Sequence, residues 1–137
     1  MAQPSSLIGR DGLSAEVTPG AAEERLRLLT ELERKVLWLS SWTIHHANHI
    51  RPSRDGLKVG GHQASSASVA TLMTALYFDV LRPQDRVAVK PHASPVFHAI
   101  QYLLGRQTVD KLQGFRALGG AQSDRKSTRL NSSHGII

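Results

Sequence analysis

Only one stretch of this 137-residue chain, Arg86-Val87-Ala88-Val89, has the short β-branched alternation of a strand; every other patterned stretch has helical periodicity. That imbalance constrains the fold more than any other feature. A single strand has nothing to pair with and cannot make a sheet. The order helix, loop, helix, strand, helix, short helix therefore reads as the opening of an α/β domain, incomplete and mostly helical as it stands.

The helical stretches are explicit. Residues 1–20 carry Pro, Ser and Gly without apolar periodicity and read as a flexible lead-in. From Ala21 to Ile50 the residues Leu26, Leu29, Leu32, Val36, Leu39, Thr43 and Ala47 recur at steps of three and four, with Glu23 and Glu24 near the start to suit the helix dipole. Arg51-Pro52 to Gly56 ends that helix in a turn. A second helix opens after Gly60-Gly61-His62 and presents Val69, Leu72, Met73, Leu76, Tyr77 and Val80 on one face. Arg82-Pro83 stops it. Ser94 is placed to cap a third helix with Pro95 in its first turn, and Gly105 to end it. Thr108 can cap a short fourth helix holding Val109, Leu112 and Phe115.

The pattern breaks at Asp124. The run Asp124-Arg-Lys-Ser-Thr-Arg-Leu-Asn-Ser-Ser-His134 resembles the translation of a common short-read sequencing adapter, so residues 124–137 are expected to be an artefactual tail fused to a natural stretch, residues 21–123. The net charge of +6 includes three basic residues and one acid of that tail, leaving +4 without it. With no basic stripe and no interleaved aromatics, a nucleic-acid partner is not expected. The absence of cysteine excludes disulfides, thiolate catalysis and Cys-held zinc, and fits a reducing cytosol. No apolar run has the length of a membrane span and no secretion signal opens the chain, so the expected location is cytoplasmic.

Two histidines sit in turns rather than on apolar faces. His62 follows two glycines and leads into a helix; His92 follows the strand and leads into another. In open α/β sheets ligands bind at the carboxyl ends of strands, and helix N-termini favour phosphate. Two such loops can converge on a phosphorylated ligand.

The stretches Lys58-Val59-Gly60-Gly61-His62-Gln63-Ala64-Ser65 and Val89-Lys90-Pro91-His92-Ala93-Ser94-Pro95, with the helix between them, resemble the start of the transketolase-like superfamily of thiamine diphosphate enzymes. Within it they are most similar to the homodimeric pyruvate dehydrogenase (acetyl-transferring) family, which carries Gly-Gly-His-x-Ala-Ser and His-x-Ser-Pro motifs. The resemblance runs from about Leu37 to Ser123. It implies a diphosphate-binding α/β domain in which His62 faces the reacting carbon as the catalytic residue, while His92 and Ser65 bind the cofactor. The implied cofactors are thiamine diphosphate and Mg2+, and the implied substrate is a 2-keto acid undergoing oxidative decarboxylation. The implied assembly is a homodimer, within a 2-oxoacid dehydrogenase complex. The family's magnesium motif and activating glutamate are not in this chain, so the expectation is a fragment inactive alone, with activity residing in a longer parent. Two rival readings remain: a transketolase moving a two-carbon ketol unit between sugar phosphates, and a small non-catalytic interaction protein assembling through its Trp-bearing first helix.

Other histidines read as structure. His45 and His49 share a helix face, yet no third ligand accompanies them as zinc would need. His98, inside the third helix, is expected to be half-buried. Trp38 and Trp42 are expected to pack on neighbours, and Lys58 and Lys90 to be exposed turn lysines.

Overall fold

The computed structural model describes residues 19–53 and 55–122. The lead-in, apart from its last two residues, and the tail 124–137 lie outside them. Helix α1 (Pro19–His45) runs on through a π turn, His46–Ile50. Helices α2 (Gln63–Ala67) and α3 (Ala70–Ala75) follow, then a second π turn, Leu76–Val80. A 3-10 turn (Pro91–Ala93) leads into α4 (Ser94–Leu103), and α5 (Val109–Gln113) comes last. Among the described residues there is no strand, and no helix is long and apolar enough to cross a membrane.

Helix α4 is the centre of the packing. Every residue from Ser94 to Gln101 is buried, and the core groups Val96, Phe97, Ala99 and Ile100 with Val36 of α1 and Met73 of α3. A helix buried on all sides sits inside, with other elements wrapped around it. Gly105 ends it as expected. At φ +71 it lets Arg106 N–H reach the Gln101 carbonyl at 2.8 Å while its own N–H reaches Tyr102 at 2.9 Å, a Schellman closure. Thr108 caps α5 as predicted, its hydroxyl accepting from Lys111 N–H at 3.4 Å. A smaller cluster of Ala47, Phe115 and Ala121 sits beside the main core, with Val59 against it.

Several sequence expectations need correction. Residues 86–90 are not a strand. Lys90 is extended (φ −68, ψ 150), and Val87 and Val89 are half-buried in alternation, Val89 resting on the core, but among the described residues no ladder forms. Ser94 does not cap α4: with φ −60 and ψ −38 it is already helical, because the 3-10 turn carries the chain in and leaves Ala93 at the cap position. The second helical stretch is broken at Ser68–Val69 and widened at Leu76, which changes its phase. Ala70, Met73 and Thr74 are buried, whereas Leu72 and Val80 are 67% and 60% exposed. Since α1 begins at Pro19, Glu23 and Glu24 lie beyond the first turn where the dipole would favour them, and Glu24 instead pairs with Arg27 in a two-pronged bond of 2.6 and 2.9 Å.

His98 is more buried than expected, at 2% exposure. Its Nε2 lies 2.7 Å from the Gln122 carbonyl and its Nδ1 3.0 Å from Gln107 Oε1, which ties α4 to the end of the described chain. Burial holds its pKa below the ordinary imidazole value, outweighing both hydrogen bonds. Trp38 stacks on Trp42 (6.2 Å between ring centres), and the His46 ring lies tilted beside Trp42 (4.9 Å, 34°); Trp38 remains 64% exposed.

Candidate functional site

The site is built on the loop between the first π turn and α2. Gly60 and Gly61 have φ of +78 and +116, conformations that side-chain-bearing residues rarely adopt. A Cβ on Gly61 would lie 3.2 Å from two carbons of the buried Ile44 side chain. Two glycines there let the loop lie flat on α1 and turn His62 outwards.

Two side chains, Arg116 and Asn48, hold this loop. Arg116 Nη1 donates to the Val59 carbonyl at 2.6 Å. Gly60 N–H donates to Asn48 Oδ1 at 3.0 Å, and Asn48 Nδ2 donates back to the Gly60 carbonyl at 2.9 Å. Downstream, the His62 carbonyl accepts from Ser66 N–H at 3.1 Å, which starts α2. The second loop is fixed by Ala93 N–H on the Lys90 carbonyl (2.9 Å) and by Ser66 Oγ, which donates to the His92 carbonyl at 3.4 Å. The two loops therefore meet. The His62 and His92 rings stack with centres 5.6 Å apart and planes inclined by 27°.

Both rings are exposed, and with Gly60, Gly61, Pro91, Pro95 and Arg116 they line a cleft of about 270 Å³. Ser65 does not join them there. It lines an adjoining depression of about 400 Å³ with His45, His49, Lys58 and His62, so His62 stands between the two hollows. His45 and His49 stack at 5.0 Å, as their helical spacing predicts. Among the described residues no group of three or more histidine or acidic side chains is placed to hold a metal ion.

A pair of imidazoles within a ring's width, beside a guanidinium and next to backbone stripped of Cβ atoms, can orient an anionic or heteroaromatic ligand and pass a proton. Two contributors, Asn48 and Arg116, are not singled out by the sequence. Asn48 lies among histidines twelve residues before its partner, beyond any local pattern. Arg116 adopts a left-handed φ of +59, and the short sequence around it does not announce that conformation.

The chain is similar to curated proteins named pyruvate dehydrogenase E1 component. It is 36% identical over 87 residues to that of Mycolicibacterium smegmatis, covering 59% of this chain and 9% of the relative. It is 33% identical over 92 residues to that of Escherichia coli K12, covering 63% and 10%. The counterpart in Mycobacterium tuberculosis is 33% identical over 87 residues, covering 59% of this chain and 9% of the relative. The chain thus spans about a tenth of the length of the curated relatives it matches. No family model matches it, and no solved structure does.

Proposed function

We propose that this chain is the N-terminal part of a thiamine diphosphate-dependent enzyme of pyruvate dehydrogenase type, acting on a 2-keto acid, and that it is inactive by itself. The observation that carries this reading is the stacked pair His62 and His92, which unites two motifs thirty residues apart in one cleft. The names of the relatives support the same chemistry.

The residues present fit the reacting end of such a cofactor. Two exposed imidazoles and the Arg116 guanidinium form a donor-rich wall suited to charge developing next to a heterocycle. They do not fit its magnesium-bound end, since no described cluster has a metal-ligand set; that end would draw its ligands from a longer parent. Bound thiamine diphosphate supplies the electron sink for decarboxylation. In this reading His62 donates a hydrogen bond and moves a proton at its ring nitrogen as charge builds on the substrate. His92 holds the cofactor, and Ser65 extends the polar wall from the adjoining hollow. Residues 86–89, whose two valines are half-buried in alternation, would become one strand of the parent's parallel sheet. A homodimer within a cytoplasmic 2-oxoacid dehydrogenase complex completes the proposal.

Paired substitutions in the longer enzyme test it. His62→Ala lowers kcat more than it weakens cofactor binding, because its bond matters as charge develops. His92→Ala raises the cofactor Kd about 10- to 100-fold, the loss of one charge-assisted hydrogen bond. Leu118→Ala, fully exposed, changes neither. Unaltered kcat and cofactor affinity in both histidine variants would overturn the assignment.

A further inference from the structure

We propose that Asn48 is a positioning residue whose carboxamide clamps Gly60 and so fixes His62 against His92; its consequence for catalysis rests on the function proposed above, its effect on ring placement does not.

The loop has an evident weakness. Gly60 and Gly61 are consecutive and both at positive φ, so the backbone leading to His62 has more conformational freedom than any other dipeptide would give. An imidazole hung on such a hinge sweeps a wide arc unless something grips the hinge itself. Asn48 does so. Its Oδ1 accepts the Gly60 N–H at 3.0 Å and its Nδ2 donates to the Gly60 carbonyl at 2.9 Å. A neighbouring strand grips a residue in the same way, exchanging both bonds with one partner. Nδ2 also donates to the Ile44 carbonyl at 2.8 Å, which braces the carboxamide against α1.

Only asparagine meets this need at this reach. Aspartate can accept from Gly60 N–H but cannot donate to its carbonyl, and glutamine is one methylene too long. The local backbone serves the same end. Asn48 sits inside the π turn His46–Ile50, closed by Arg51 N–H on the His46 carbonyl at 2.8 Å, and such widened turns recur at functional sites. Downstream, His62 is held by α2 through its carbonyl, and Ser66 of the same helix holds the His92 carbonyl. The ring pair therefore hangs between α2 and the Asn48 clamp.

Nuclear magnetic resonance on the full 137-residue chain tests this without relying on activity. In the wild type the Gly60 amide is protected from exchange and the His62 and His92 ring protons show a mutual Overhauser effect. In Asn48→Ala, Gly60 exchange accelerates roughly tenfold or more and the ring contact disappears, while core amides of α4 keep their protection. Asn48→Asp, nearly isosteric, keeps the Gly60 N–H bond and loses the other, so protection persists and the ring contact weakens. If Asn48→Ala unfolds the chain, the aspartate variant decides alone. An intact ring contact in Asn48→Asp, together with one in any folded Asn48→Ala, overturns the proposal. In the longer enzyme, Asn48→Asp lowers kcat and leaves the substrate KM near wild type. Loss of ring contact combined with wild-type kcat in His62→Ala would leave the clamp standing and remove the proposed catalytic role.

Discussion

Two glycines with positive φ, Gly56 and Gly61, allow the strain of the His62 loop to be measured against an internal reference. Gly56, at φ +71, has nothing within 4 Å of where a Cβ would stand. Gly56→Ala therefore reports the backbone term alone, about 1–2 kcal/mol for a side-chain-bearing residue in the left-handed region. Gly61, at φ +116, adds contacts of 3.2 Å to Ile44 Cγ1 and Cγ2, and Ile44 is only 4% exposed, so it has little room to yield. Overpacking of that kind costs about 1–3 kcal/mol more, which puts Gly61→Ala at roughly 2–5 kcal/mol. The assay is equilibrium urea unfolding followed by far-UV circular dichroism, comparing midpoints at constant m. The contact is isolated by a double-mutant cycle. Ile44→Ala removes both γ carbons and alone costs about 2–5 kcal/mol; combined with Gly61→Ala, the pair should cost about 1–3 kcal/mol less than the sum. Additivity, or a Gly61→Ala cost within about 0.5 kcal/mol of Gly56→Ala, would refute the claim that the loop lies pressed on α1.

His98 makes stability pH-dependent in a defined direction. Its buried ring resists protonation, so the unfolded chain binds more protons and stability falls as pH drops below about 6.5, being fully present above it. Urea midpoints between pH 5 and 8 should flatten in His98→Gln; parallel curves for the two proteins would remove the assignment. In the core, Ile100→Ala should cost about 2–5 kcal/mol, whereas Leu72→Ala, on a residue 67% exposed, should stay within about 0.5 kcal/mol. Comparable losses in the two would mean that the face read from the sequence, not the observed one, is buried.

The sequence is most legible where local chemistry decides the outcome. The stripe of Val36 and Thr43 on α1, continued by Ala47 in the π turn, is buried as its period predicts, and the Thr108 cap and Gly105 stop stand where their local chemistry requires. Leu26 belongs to the same stripe yet is 64% exposed, because periodicity names a face but not what covers it. The π turns at His46 and Leu76 have no compositional signature, and each alters the phase of the residues after it. Together with the break at Ser68–Val69, this leaves Leu72 and Val80 exposed rather than on the buried face. Residues 86–90 carry strand-forming side chains, but a strand is defined by its neighbour. In the site, the glycine and proline turns mark the His62 and His92 loops. Their meeting depends on Ser66 and Asn48, bonds spanning twenty-six and twelve residues that no local pattern reveals. The buried serine is thus Ser66, one position from the Ser65 that the resemblance points to.

The burial of α4 on every side has a consequence for how this stretch can vary. An amphipathic helix has a wet face on which substitutions drift freely. From Ser94 to Gln101 there is no such face: eight successive positions each touch protein, and the polar ones, Ser94, His98 and Gln101, are as enclosed as the apolar ones. A change at any of them must be absorbed by the neighbours α1, α2, α3 and α5 or by the His92 turn that opens the helix. Variation tolerated by the fold is therefore pushed to the outer surface of α1 and to the loops. A substitution scan across 94–101 should find almost no silent position, and replacements that survive should come with a compensating change on a neighbouring helix.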